Sequence, residues 1–245
     1  MGGLKRTAEK SREQLRKKKK ANPTILIICE GKDTETIYLD NFNSKYTKVD
    51  VRIADRNSRG KNKGKATDPE SLVKKAIEIQ NKDYDINEKD GDRVWCVFDV
   101  DINYNNNNAV QSKIDEINKA KILSNRNHIR LGISNPCFEL WYLMHFEYTT
   151  ANLKDYDDVK QRLDKHIANY DKNKNVYDEL KPYLNDTIAR VKKLKQYHES
   201  LGKILPNDES DYLKITAENI VKSNPYTNVS DLIEYMESLE HGENH

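Results

Sequence analysis

No stretch of this 245-residue chain approaches the roughly 18 consecutive apolar residues that a membrane-spanning helix needs. The first residues are charged and lack the apolar segment of a secretory signal, so the sequence predicts a cytoplasmic protein. Cysteine is scarce. The three residues, Cys29, Cys96 and Cys137, are odd in number, and each sits inside or beside an apolar run. That fits free thiols in a reducing compartment and not a disulfide framework. An excess of charge of one sign is also lacking: 42 Lys plus Arg stand against 40 Asp plus Glu. Net charge therefore does not announce a nucleic-acid binder. No internal repeat is visible.

The charge is nonetheless uneven. Residues 5–20 hold Lys5, Arg6, Lys10, Arg12, Arg16 and Lys17 to Lys20 against only Glu9 and Glu13. Such a block is either a disordered, solubilising arm or an arm that contacts phosphates. A second basic stretch, RNSRGKNKGKATD, tempts one to see a phosphate loop. Its spacing is wrong: Gly60 to Gly64-Lys65 is one residue short of G-x4-G-K, and Ala66 stands where Ser or Thr should follow. It reads as a plain solvated loop or as a flexible basic loop that meets a polynucleotide backbone.

Apolar runs alternate with helical patterns through the first half. Thr24–Cys29, Val49–Ala54, Val94–Val100 and His128–Ile133 read as strands. The helix after Gly31 is capped by Asp33 or Thr34 and runs to about Asn43, with Ile37, Tyr38 and Phe42 inward. Asp68-Pro69-Glu70 starts another, with Leu72, Val73, Ala76, Ile77 and Ile79 as its stripe. A third runs from about Ala109 to Leu123. Asn135 caps a fourth, almost wholly apolar, which begins at Pro136 and holds Trp141, Tyr142, Met144 and Phe146 in the core. Beyond Thr150 the pattern is helical, over 155–170, 173–201, 210–222 and 231–239, the last capped by Ser230. The chain thus divides into a basic arm (1–22), an α/β domain (23–149) and a helical C-terminal region (150–245). The fold class is α/β: a mostly parallel four-stranded sheet flanked by helices, with a helical appendage.

The run VWCVFDVD is the stretch around which chemistry gathers. It ends in Asp99 and Asp101, while the first strand ends at Glu30. A parallel sheet presents all its carboxyl strand ends on one side, where ligands bind. Three acids there suit a hard divalent cation, Mg²⁺ or Mn²⁺. Glu139, near a helix start after the fourth strand, reaches the same rim, and a fourth carboxylate would allow a second metal. The bland alternative is that these acids solubilise loops or cap helices. A zinc site from Cys137 and His145 lacks further ligands.

Glu30-Gly31 and Asp-x-Asp resemble the Toprim signature of topoisomerases, primases and related nucleases. More closely, ILIICEGKDTETIYL, VWCVFDVD, SNPCFELWYLMHF and NPYTNVSDLIEYM are similar to the RloB-like family, over roughly Thr24 to the C-terminus. Members occur near bacterial restriction and abortive-infection loci, often beside an ATPase. The resemblance implies a Toprim-like domain and a metal-dependent nuclease of anti-phage defence, with DNA or RNA as substrate and an AAA- or ABC-type ATPase as partner. It implies a general acid/base role for Glu30 and metal binding by Asp99 and Asp101. One departure is Ile102-Asn103 directly after Asp-x-Asp, where the family often carries charged residues. Glu35 falls in the first family block but reads as ordinary helix surface. His145 belongs to the same block as Glu139 and lies some 120° round the helix from it. It is a buried, hydrogen-bonded histidine or a general base. Lys192, Lys193 and Lys195 form either a solvated helix face or a nucleic-acid contact. The alternative function is a non-catalytic nucleic-acid-binding or ATPase-docking subunit.

Overall fold

The computed structural model describes residues 22–54, 68–206 and 216–242. The basic arm, the basic loop from residue 56 to 67 and the first part of the helix expected over 210–222 lie outside them.

The described elements run β1 (Thr24–Cys29), α1 (Thr34–Lys45), β2 (Asp50–Ile53), α2 (Pro69–Asp83), β3 (Arg93–Asp99), α3 (Asn107–Arg126), β4 (Ile129–Asn135) and α4 (Glu139–Leu143). Then follow α5 (Tyr156–Leu163), α6 (Tyr177–Leu180), α7 (Leu184–Ser200), α8 (Ala217–Lys222), β5 (Tyr226–Thr227) and α9 (Val229–His241). The sheet order is β2-β1-β3-β4-β5. The first four strands are mutually parallel and β5 runs antiparallel to β4. No described helix is long and apolar enough to cross a membrane.

Side chains alternate across a strand, so each strand feeds two cores. Ile25, Ile27, Cys29, Trp95 and Val97 face one layer, built on α1, α4 to α7 and α9. Leu26, Ile28, Val94, Cys96 and Phe98 face the other, built on α2, α3 and α8. Helices from beyond residue 150 contribute to both layers. The three cysteines are free and buried.

Local signals explain most boundaries. Asp68 caps α2 by accepting from Ser71 N–H (2.9 Å), and Pro69 occupies the first turn. Asn106 caps α3. Several elements depart from their sequence signals: the helix expected over 155–170 ends at Leu163, and the one expected over 173–201 is broken into α6, a 3-10 turn over Lys181–Tyr183 and α7. The sheet has a fifth strand, β5, too short at two residues to carry an alternating pattern. The last helix begins at Val229 after Asn228, so Ser230 lies inside it. Asn135 is not a helix cap either. It ends β4, the Asn135–Pro136 peptide is cis, and α4 spans only Glu139–Leu143.

The reason lies in the Asn135 amide, which is fully buried and fully used. Its Nδ2 donates to Val221 O (3.0 Å) and Ser223 O (2.7 Å). Its Oδ1 accepts from the Tyr104 hydroxyl (2.8 Å) and Asn224 Nδ2 (3.1 Å). Asn135 therefore joins the end of β4, the loop after β3 and the chain between α8 and β5. Asn135→Ala is expected to lower the free energy of unfolding by about 2–4 kcal/mol, because it strands buried carbonyls. Tyr104→Phe removes one donor and should cost about 1 kcal/mol. Urea titration checks the ranking; wild-type stability in Asn135→Ala would contradict it.

Candidate metal centre at the carboxyl edge of the sheet

β1 and β3 are parallel neighbours, so their last residues share one edge. Backbone pairing continues past the strand ends. Glu30 N–H donates to Val97 O (2.8 Å), and Asp99 N–H donates to the Glu30 carboxylate at Oε2 (3.2 Å). Val100 N–H reaches Ser134 O (2.8 Å) and Asp101 N–H reaches Pro136 O (3.0 Å). Asp101 adopts φ +34°, in the left-handed region. Aspartate tolerates that region better than most residues, and strain there is typical of binding sites.

Glu139 is the first residue of α4 and is buried. Its Oε1 accepts from the Thr34 hydroxyl (3.0 Å) and the Tyr170 hydroxyl (3.1 Å). Glu35 is not on the helix surface. It shares the inward face of α1 with Leu39 and Phe42 and is only 6% exposed. Gly31 N–H donates to Glu35 Oε1 (3.2 Å), and the carboxylate fills the space that a Cβ at residue 31 would need. A glycine is therefore required beside it. The available sequence signal was a charge in register with an apolar stripe, five residues after Glu30.

Glu30, Glu35, Asp99, Asp101 and Glu139 line one open pocket of about 440 Å³, together with Asp33, Lys32, Lys172, Gly31 and Thr34. His145 does not line it. Its ring is buried among Tyr38 and Trp141, with Nδ1 2.8 Å from Trp141 O. Burial lowers its pKa to about 4, so it is neutral. Lys192 pairs with Glu234, and the Lys193 ammonium lies over the Tyr148 ring at 4.4 Å.

The electrostatics of the pocket are those of crowded like charges. Burial, and then the carboxylates of Glu35, Glu139 and Glu30, push the Asp99 carboxyl well above its usual range. Asp99 Oδ1 is buried with no hydrogen-bond partner among the described residues. Burial also pushes Glu35 up to about 7, with the charges of Glu139 and Glu30 adding to it against the pull of main-chain N–H donors. An orphaned carboxylate oxygen inside an all-oxygen, acid-rich wall fits a hard divalent cation. Among the described residues no three side chains form a ready-made ligand set. The pocket thus offers a converging acidic wall, not a closed cage. The neighbouring thiols are poor nucleophiles, since burial raises the pKa of both Cys29 and Cys137.

Fold and site together define a class: α/β proteins whose parallel sheet presents a carboxylate cluster at its carboxyl edge. Within that class the chain belongs to the RloB-like family, for the family model described as RloB-like protein matches residues 25–236. The matched span includes every carboxylate of the pocket and begins after the basic arm. No match was found among curated proteins or among solved structures.

A pH dependence follows from Glu35. Its folded pKa is raised from 4.5 to about 7, so between those values the unfolded chain has lost a proton that the folded protein keeps. The stability contributed by uncharged Glu35 is full below about 4.5 and is lost as pH rises toward 7. In metal-free buffer the Tm of the wild type is expected to fall relative to Glu35→Gln across that window. Parallel Tm-against-pH curves for the two proteins would contradict this.

Proposed function

We propose that the protein is a Mg²⁺- or Mn²⁺-dependent nuclease that hydrolyses phosphodiester bonds in DNA or RNA. The observation that carries the reading is the gathering of Glu30, Glu35, Asp99, Asp101 and Glu139 around one pocket, with Asp99 Oδ1 buried and without a hydrogen-bond partner among the described residues. Asp99, Asp101, Glu35 and Glu139 are the residues that would hold the metal. The ion, when bound, supplies charge stabilisation to the phosphoryl oxygens.

The other roles belong to the chain's own groups. Glu30 stands at the strand end with one oxygen oriented by Asp99 N–H, and it takes and returns a proton during attack by water. Lys32 and Lys172 are the lysines of the pocket lining and give a phosphate two cationic contacts. The Lys172 ammonium rests over the Tyr156 ring at 4.1 Å, a site that keeps it at the rim beside the carboxylates. An open, polar pocket admits a polymer backbone. Membership of the RloB-like family supports a role in anti-phage defence and control by a partner ATPase of the AAA or ABC type.

The purified protein, with and without that ATPase, is to be incubated with labelled DNA and total tRNA plus Mg²⁺ or Mn²⁺. Cleavage is expected with metal and absent with EDTA. Glu30→Gln and Asp99→Asn should each reduce it by about 10²-fold or more, as loss of a proton carrier or of charge stabilisation does. Full cleavage by both variants would sink the assignment. Binding of polynucleotide without cleavage under any metal would favour the non-catalytic module.

A further inference from the structure

The carboxylate pocket is not closed by the α/β elements alone. Tyr170, which follows α5 in the chain, is buried against it and donates its hydroxyl to Glu139 Oε1 (3.1 Å). Thr34, at the start of α1, donates to the same oxygen (3.0 Å). Lys172 O is a second acceptor for Thr34, but at 3.4 Å, so the single hydroxyl proton goes to Glu139. The Tyr142 hydroxyl in turn donates to Thr34 O (3.0 Å), and the Tyr142 and Tyr170 rings meet edge to face at 5.9 Å. Glu139, Thr34 and Tyr170 are all nearly inaccessible to water.

Two hydroxyl donors on one carboxylate oxygen have a definite consequence. Oε1 is occupied and its lone pairs are directed away from a cation. We propose that Tyr170, acting with Thr34, is a positioning residue that fixes Glu139 as a one-oxygen metal ligand. This rests on the metal reading of the pocket given above. Neutral donors of this kind orient a carboxylate without adding charge, and their loss weakens a metal site by about 10–100-fold. Because Tyr170 comes from the helical region beyond residue 150, that region completes the ligand set without itself supplying a carboxylate.

The test uses the full chain and Mn²⁺ alone, followed by calorimetric titration and by the electron paramagnetic resonance of the bound ion. Tyr170→Phe is expected to bind Mn²⁺ about tenfold more weakly or worse, while remaining folded. Thr34→Val should do the same, and Thr34→Ser should restore near wild-type affinity. A merely structural role would lower Tm and leave the Mn²⁺ affinity of the folded protein unchanged. The proposal is overturned if folded Tyr170→Phe binds Mn²⁺ within twofold of wild type; should that variant not fold, the same criterion applies to Thr34→Val. A wild type that binds no Mn²⁺ would instead sink the metal reading itself.

Discussion

Crowding of like charge at a half-dry sheet edge is the constraint on which the rest of this structure depends. Two unit charges 4 Å apart in a protein-like medium repel by about 4 kcal/mol. Burial makes charging Asp99 and Glu35 costly, and the neighbouring carboxylates, Glu30 and Glu139 among them, add to that cost. Among the described residues the donors are dispersed: a main-chain N–H reaches Glu30, another Glu35, and two hydroxyls reach Glu139. Asp99 Oδ1 receives none from the described residues. A site held together this way has residual negative charge as its product, and a divalent cation is the species that meets it.

Rigid placement of these acids is the work of both halves of the chain. β1 and β3 are buried on both faces, which holds Glu30 and Asp99 in register. The end of β4 is set by residues far along the sequence. Asn228 accepts from Ile133 N–H (2.6 Å) and donates to Leu131 O (3.0 Å), while Asn135 binds the segment after α8. Glu139 follows four residues later. Arg190 of α7 binds Met144 O (3.0 Å) and His145 O (2.7 Å), just beyond α4. The short helix that carries Glu139 is therefore fixed at both ends by the C-terminal region.

The acids at strand ends were legible in the sequence because a buried parallel strand is a continuous apolar run, and a charge that stops it is conspicuous. Glu30, Asp99 and Asp101 are of this kind. Glu139 was legible from its place near a helix start. Glu35 was not, because helices tolerate a glutamate on any exposed face, and only the absent Cβ of Gly31 shows why this one turns inward. Tyr170 was hidden for a different reason: it touches the site through tertiary packing across a sequence separation of 31 residues. His145 lies outside the pocket, with its ring against Tyr38 and Trp141 in the aromatic core. β5 and the Asn135 network escaped notice because they are held by side-chain amides and not by a hydrophobic period.

The most direct test of the central claim is a crystal of the wild-type protein soaked in Mn²⁺ and measured at the manganese edge. An anomalous peak is expected in the pocket at about 2–2.5 Å from Asp99 Oδ1, with further oxygens from Asp101, Glu35 or Glu139. Manganese bound elsewhere, with Asp99 Oδ1 still without a ligand, would contradict the account.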